Sequence, residues 1–366
     1  AAELAMGAED KRRKENDMFK RSIVLMAAVV FSAMGTNLHA WDHPGHMTTA
    51  AIAYSEIERA RPDLIGKIGM LFLAHPVAGP FWVAAGEARG REAIRRKVIE
   101  CGRWADDIKF TAPDEPTWHT ARWAIVAKDA PQEVKAAADA RQGKPAGQAI
   151  EALTLNFAML ANPESSPKER ALALCWVFHI VGDIHQPMHA SDLFSKEFPA
   201  GNAAGAMSYV QDPVTNKPIP LHILWDSNAL RLPTLEAVDR HTQAFMKKYP
   251  RSSFPELKSH PIGDPNAFRE WAKESHQIAV DWVYKDVQTV PDPDKDQNTE
   301  RLIQNMIKFI LEGIAPVEEA PKLPDGYWEK LQLTAERRIT LAGYRIADLV
   351  LSAADNIEAQ RKFIGR

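Results

Sequence analysis

Histidine and aspartate recur four residues apart at two places in this chain of 366 residues. His179 and Asp183 form the first pair, and His222 and Asp226 form the second. Residues four apart lie on one face of an α-helix with their side chains adjacent. If each pair acts as a unit, the chain must therefore be helical at both places.

The rest of the chain agrees with a helical fold. From Trp41 onward helical periodicity recurs, and strand-like alternation is scarce. Candidate helices cover residues 46–60, 91–103, 132–142, 147–161, 168–184, 233–248, 267–285, 299–313 and 329–354. A polar, proline-containing linker is expected at 286–298, and a short hairpin at 206–221. The sequence predicts a single, mostly helical all-α domain with one short hairpin.

Imidazole nitrogens and carboxylate oxygens are common zinc ligands. One isolated His–Asp pair is more often an ordinary surface ion pair, so neither pair is informative alone. Pro187 is expected to end the first helix, which frees His189 to turn back toward the same region. Asp106 and His119, each near a tryptophan, add further candidate ligands upstream. The combination favours a metal site.

Composition excludes several other classes. Lys and Arg together number 45 and Asp and Glu 48, which gives a formal net charge of −3. A strongly basic protein that coats nucleic acid is therefore not expected. The two cysteines, Cys101 and Cys175, cannot build a disulfide scaffold or a Cys-rich zinc ribbon. The sequence leaves open whether they form one disulfide or stay as two buried thiols.

The N-terminal region is typical of a targeting signal. It has basic residues at 20–21, an apolar run over 23–34 and a plausible cleavage site at 38–40. Because the apolar run is short for a bilayer, a signal peptide is a better interpretation than a transmembrane anchor. We therefore expect residues 1–40 to be an upstream segment and signal peptide, and 41–366 to be one domain. The mature protein would be exported, periplasmic or secreted, without stable membrane insertion and with no obligate protein partner evident.

Together, these motifs resemble the zinc-dependent single-strand-specific nuclease family of the S1/P1 type, in the phospholipase C/nuclease superfamily. The matching motifs, in the family's order, are W-x-x-x-G-H at 41–46, WAD at 104–106, His119 after Trp118, HIVGDIHQPMH at 179–189, AGN at 200–202, LHILWD at 221–226, WAKES at 271–275 and AGYRIADLV at 342–350. The resemblance covers essentially the whole mature chain. It implies a mostly α-helical domain that holds three zinc ions.

The resemblance also implies which residues bind each ion. The buried zinc would take Asp106, His119, His179 and Asp183. A second zinc would take His46 and the backbone nitrogen and oxygen of Trp41, with Asp183 bridging to the first. The third, more exposed zinc would take His189, His222 and Asp226. Asp183, Lys109 and Asn202 are the predicted catalytic residues.

The implied activity is hydrolysis of single-stranded DNA or RNA to products with 5′-phosphates, with 3′-nucleotidase activity as an additional expectation. Two bridged zinc ions lower the pKa of a shared water toward ~7. Three residues depart from the family. Arg122 stands where the family usually has Asp or Asn, and Lys109 replaces an Arg, keeping the charge but losing bidentate geometry. Thr120 replaces a bulkier residue, so no base preference is carried over.

The same motifs have two alternative interpretations besides a nuclease. A zinc-dependent phospholipase C is similar in fold and ligands, but its last zinc ligand is Glu where this chain has Asp226, and its N-terminal Trp lies farther from the first His. A helical binding protein with structural zinc would close each site with four protein ligands. The set of His189, His222 and Asp226 offers only three, and an open position favours catalysis.

Overall fold

The computed structural model describes residues 41, 43–109, 111, 114–227, 230, 232–294 and 299–364. The predicted signal peptide lies outside the described residues. Helices make up most of the described chain, so the predicted all-α class is confirmed. They are α1 (His43–Ala60), α2 (Leu64–Ala74), α3 (Gly79–Ala85), α4 (Gly90–Asp107), α5 (Gln132–Asp139), α6 (Ala149–Ala161), α7 (Pro167–Ile184), α8 (Leu221–Ser227), α9 (Leu235–Lys248), α10 (Pro265–Ile278), α11 (Thr299–Glu312) and α12 (Tyr327–Ile364).

All nine candidate helices are present, with shifted ends. The one expected at 267–285 is α10 followed by a π-helical turn, Ala279–Val283. Helices α2 and α3 were not predicted. The α2 segment is apolar on most faces and contains Gly66 and Gly69, so it lacks the polar stripe that marks an amphipathic helix. Among the described helices, none is both long enough and apolar enough to cross a bilayer.

Helix α7 lies in the centre of the core. It begins with a capping box, in which Ser166 Oγ accepts from the Glu169 backbone N–H and the Glu169 carboxylate accepts from the Ser166 N–H. From Ala173 to Ile184 its residues are buried on every side. It packs against α4, α6 and α12, whose apolar faces complete the main core. A helix that is apolar all round needs such complete cover.

The end of α7 follows the prediction. The helix stops at Ile184, and Pro187 opens a short 3₁₀ turn, Pro187–Ala190, which carries His189. Ser275 on α10 donates to the Ile184 carbonyl over 2.6 Å. This bond satisfies one of the carbonyls that a helix leaves without a partner at its C-terminus.

The strands are short. Strand β1 (Trp123–Val126) pairs in parallel with β2 (Ser191–Phe194), a pairing that was not predicted. The predicted hairpin is confirmed as β3 (Ser208–Gln211) antiparallel to β4 (Pro218–Pro220), with Val210 opposite Ile219. Strand β5 (Val290–Pro291), from the predicted linker, pairs with the other edge of β3.

Candidate metal centre

Five buried side chains from four elements meet beside α7. We call them the inner cluster: His46 from α1, Asp106 from α4, His119 from the 3₁₀ turn Pro116–His119, and His179 and Asp183 from α7. All five are at most 5% exposed. The structure brings together these five residues, which are far apart in the chain and include all the side chains predicted to bind the first two ions.

Asp183 contacts three imidazoles, and its two oxygens have different neighbours. Its Oδ2 lies 3.2 Å from His179 Nε2 and 3.2 Å from His119 Nδ1. Its Oδ1 lies 3.2 Å from His46 Nε2. Each oxygen of this carboxylate therefore has its own imidazole neighbours, as a ligand that bridges two cations requires.

Asp106 has a similar position. Its Oδ1 lies 3.5 Å from His179 Nε2 and 3.7 Å from His119 Nδ1, while its Oδ2 lies 3.7 Å from His46 Nε2. The resemblance assigns Asp106 to the buried zinc alone. The structure places its second oxygen within reach of the His46 side as well.

The hydrogen bonds that the inner cluster makes, and those it lacks, are consistent with metal binding. His179 Nδ1 donates to the Gly102 carbonyl over 3.0 Å, which leaves the Nε2 lone pair facing the carboxylates. His46 Nε2 and Asp183 Oδ1 are fully buried and lie 3.2 Å apart, without the geometry of a hydrogen bond. Buried polar atoms without partners are costly, so each one calls for an explanation. A cation between them would satisfy both, and the donor set is one that zinc prefers.

Two glycines allow the helices to approach closely enough. A Cβ on Gly102 would lie 2.6 Å from the His46 carbonyl oxygen, and a Cβ on Gly182 would lie 2.8 Å from His46 Nδ1. Both distances are shorter than real Cβ contacts. Glycine at 102 and 182 therefore allows α4 and α7 to pack directly against His46.

Trp41 lies beside the inner cluster. Its side chain is fully buried, and the indole Nε1 donates to the Gly182 carbonyl over 2.9 Å. Gly182 directly precedes Asp183 in α7. The predicted ligand residue is thus anchored next to the carboxylate with which it would share a cation.

Three further predicted ligands form a second group. We call them the outer cluster: His189, His222 and Asp226. His222 Nε2 lies 3.2 Å from Asp226 Oδ2, and His189 Nε2 lies 4.0 Å from Asp226 Oδ1. His189 Nδ1 donates to the His119 carbonyl and His222 Nδ1 to the Ala204 carbonyl, over 2.7 and 2.9 Å. Both Nε2 lone pairs are therefore available to one cation.

Burial keeps the imidazoles of the outer cluster neutral. Desolvation is the main cause that lowers the pKa of His189 to about 3 and that of His222 to about 4. Desolvation also raises the pKa of Asp226 well above its usual value. Neutral imidazole is the form that binds a metal, so at neutral pH two of the three ligands need lose no proton.

Gln186 supports the outer cluster and was missed by the sequence analysis. Its Nε2 donates to Asp226 Oδ1 over 2.7 Å, and its Oε1 accepts from the Met188 backbone N–H. It is fully buried. The only signal in the sequence was its place directly before Pro187, where the chain turns out of α7.

Asn202, predicted as catalytic, is buried beneath the outer cluster. Its Oδ1 accepts from the backbone N–H groups of Leu193 and Gly205 over 3.0 and 3.1 Å, and its Nδ2 donates to Ser208 Oγ over 3.0 Å. These bonds hold the turn whose Ala204 carbonyl receives the His222 N–H. The arrangement favours a role in positioning His222 over direct contact with a substrate.

Two basic residues flank the clusters. Lys109 Nζ lies 2.7 Å from Asp106 Oδ1. Arg122 lies 3.9 Å from Asp192 and keeps about a quarter of its side chain exposed, at 27%. Burial is the main cause that lowers the pKa of His222, and the positive charges of Lys109 and Arg122 lower it further. Both basic side chains therefore favour the neutral form of His222 in the outer cluster.

A buried charge network fixes the end of α7. His185 Nδ1 donates to the Val181 carbonyl over 2.6 Å, and Arg345 on α12 donates to His185 Nε2 over 2.7 Å. Glu274, from the WAKES motif, accepts from both Arg345 and Arg338. The two C-terminal motifs therefore support the helix that carries His179 and Asp183, and they supply no ligand themselves.

Comparison with known proteins agrees with this site. The S1/P1 nuclease family matches residues 41–355 of this chain. The chain is 25% identical to Nuclease S1 of Aspergillus oryzae over 339 residues, which is 91% of this chain and 98% of that protein. The family match begins at Trp41, directly after the predicted signal peptide, and includes every predicted ligand. This chain therefore belongs to the S1/P1 nuclease family and is a nuclease.

Proposed function

We propose that this nuclease is an exported zinc-dependent phosphodiesterase that hydrolyses single-stranded DNA and RNA to products with 5′-phosphates, with 3′-nucleotidase activity as a second activity. The observation that carries the proposal is the position of Asp183, whose Oδ1 lies 3.2 Å from His46 and whose Oδ2 lies 3.2 Å from both His119 and His179. The outer cluster adds a separate three-ligand set. Family membership supports the reaction class.

The inner cluster would hold two zinc ions, with Trp41 completing the His46 side, and the outer cluster would hold a third. When bound, the metal supplies an activated water at neutral pH and a Lewis acid for the phosphate. Asp183 would contribute one carboxylate oxygen to each of the two inner ions.

The protein's own residues bind and orient the substrate. Lys109 is partly exposed, at 26%, and its ammonium lies at the edge of the inner cluster, where it would attract a phosphodiester. Neutral His189 and His222 leave the outer cluster with a single carboxylate. The outer cluster therefore presents at most one negative charge to an anionic backbone.

A flexible single strand suits such a recessed site better than a duplex does. Duplex DNA is stiff, whereas a single strand can bend and turn its bases outward. The ligands of both clusters are buried, with His222 the most exposed at 18% of its side chain. We therefore expect a phosphate to reach them only if the strand bends into the cleft.

Metal content and substrate preference test the proposal together. Protein purified with zinc should contain about three ions per chain by elemental analysis, and it should cleave single-stranded substrates much faster than duplex. A chelator should abolish cleavage of single strands and of duplex, and added zinc should restore it. One ion or none, or equal rates on single strands and duplex, would contradict the proposal. Activity on phosphatidylcholine alone would favour the phospholipase instead.

A variant with one Ala added before Trp41 tests whether a free N-terminus at Trp41 holds the second zinc. A free α-amino group has a pKa of about 7.7–8.0 and can donate its lone pair to a metal, whereas an amide nitrogen cannot. The extended protein should stay folded, lose about one zinc per chain and lose activity by orders of magnitude. Equal zinc content and equal activity in the two proteins would remove Trp41 from the site.

A further inference from the structure

The two cysteines of the chain meet in the core. Cys101 lies in α4, five residues before Asp106, and Cys175 lies in α7, four residues before His179. Both side chains are fully buried. Their sulfur atoms are 2.8 Å apart. The nuclease proposal uses neither residue.

The distance is short for two separate thiols. A disulfide bond is about 2.05 Å long, so the sulfurs need to approach by less than about 1 Å to bond. The sequence contains only these two cysteines, so neither has another partner in the chain. Helices α4 and α7 are packed against each other at this level, which keeps the pair in register.

We propose that Cys101 and Cys175 are joined by a disulfide in the mature protein, as a covalent link between the helix that carries Asp106 and the helix that carries His179 and Asp183. The link rests on the proposed export, because disulfides form and persist in oxidising compartments. It joins positions 74 residues apart. It therefore restrains the unfolded chain strongly and holds the two ligand-bearing helices together in the folded one.

The oxidant is a thiol–disulfide oxidoreductase in its disulfide form. The thiolate of one cysteine attacks a sulfur of that disulfide, which forms a mixed disulfide and releases one thiolate of the oxidant. The second cysteine then attacks the mixed disulfide, which forms the Cys101–Cys175 bond and releases the second thiolate. The pair loses two protons and two electrons, and the oxidant leaves as a dithiol.

Burial sets when this reaction can occur. Neither sulfur is accessible in the folded chain, so oxidation must take place before folding is complete. Once formed, the bond is shielded from reductants for the same reason. Any test must therefore begin with unfolded protein and must trap the thiols under denaturing conditions.

The test is a refolding experiment on the full chain. Reduced, unfolded protein is refolded with zinc in a buffer of reduced and oxidised glutathione, quenched with acid, denatured, and treated with N-ethylmaleimide after return to neutral pH. We expect intact mass spectrometry to show no adduct and a chain lighter by two hydrogens, and two adducts after prior reduction. Cys101→Ser and Cys175→Ser should each expose one remaining thiol.

Two adducts on the refolded wild-type protein, or glutathione attached to the separate cysteines, would overturn the proposal. A second measurement avoids dependence on the variants. Wild-type protein that is reduced while unfolded and refolded under reducing conditions should melt at a lower temperature than the oxidised protein, and equal melting temperatures would count against the link. Failure of the nuclease proposal would be distinguishable. It would appear as missing zinc or absent substrate preference in protein whose cysteines are still joined.

Discussion

Replacing Gly182 with Ala adds a single methyl group at the closest approach of two ligand-bearing helices. The new Cβ would lie 2.8 Å from His46 Nδ1. Ordinary contacts of a Cβ begin near 3.4 Å, so the imidazole must retreat by about 0.6 Å. It cannot swing aside freely, because it is fully buried and stacks on His179 with ring centroids 4.2 Å apart.

The expected loss follows from that displacement. A misplacement of about 1 Å in an active site can lower the rate about 10²-fold, so Gly182→Ala should lower kcat/KM by roughly ten- to a hundredfold. Overpacking costs about 1–3 kcal/mol, and the helix propensity of Ala returns about 1 kcal/mol. The free energy of unfolding should therefore fall by only about 0–2 kcal/mol.

The assay compares Gly182→Ala with Gly66→Ala. Gly66 is also helical, but a Cβ there meets nothing within 4 Å, so this control should keep full activity and gain a little stability. Kinetics on a single-stranded substrate, zinc analysis and thermal unfolding are measured on both. Full activity and full zinc content in folded Gly182→Ala would refute the claim that His46 is held in place by close packing.

Three more predictions concern charge around the site. Arg122→Ala should raise KM for single-stranded substrates about tenfold with little change in melting temperature, because the side chain is partly exposed and lies near the outer cluster; steady-state kinetics with an unchanged KM would contradict this. Lys109→Met should increase zinc affinity in chelator competition yet lower kcat/KM, because the ammonium competes for an Asp106 oxygen but attracts phosphate. At pH 5.5, zinc binding to the outer cluster should release at most about one proton. Burial holds the imidazole pKa values of the outer cluster at about 3 and about 4, below this pH, and raises that of Asp226. The measurement is calorimetry of zinc added to protein whose inner cluster is already loaded, in buffers of different ionisation enthalpy, and a release of two or more protons would contradict this.

The helical ligand pairs could be predicted from the sequence because their geometry is local. A spacing of four residues places His179 beside Asp183 in any α-helix, and the structure has them 3.2 Å apart. The same holds for His222 and Asp226, also at 3.2 Å. No tertiary contact is needed to bring either pair together.

Asp106 and His119 were candidate ligands from the sequence, but their assignment to the buried zinc needed the family resemblance. They reach His179 only because α4 and the turn at Pro116–His119 pack against α7, and no spacing in the sequence encodes that packing. The supporting groups were harder still. Arg345 donates to His185 across 160 positions of sequence, and no spacing or periodicity in the sequence indicates this contact. Such partners are defined by the folded core alone.

The contact between the two cysteines also depends on tertiary packing and could not be predicted from sequence spacing. It depends on the same packing as the metal ligands. Cys101 directly precedes Gly102, whose carbonyl accepts the His179 Nδ1–H, and Cys175 lies one helical turn before His179. The contact that orients His179 for a metal is therefore also the contact that brings the two sulfurs to 2.8 Å. Any change that separated α4 from α7 would open the inner cluster and the cysteine pair together. A covalent link at this position therefore acts on the same distance that the metal ligands require.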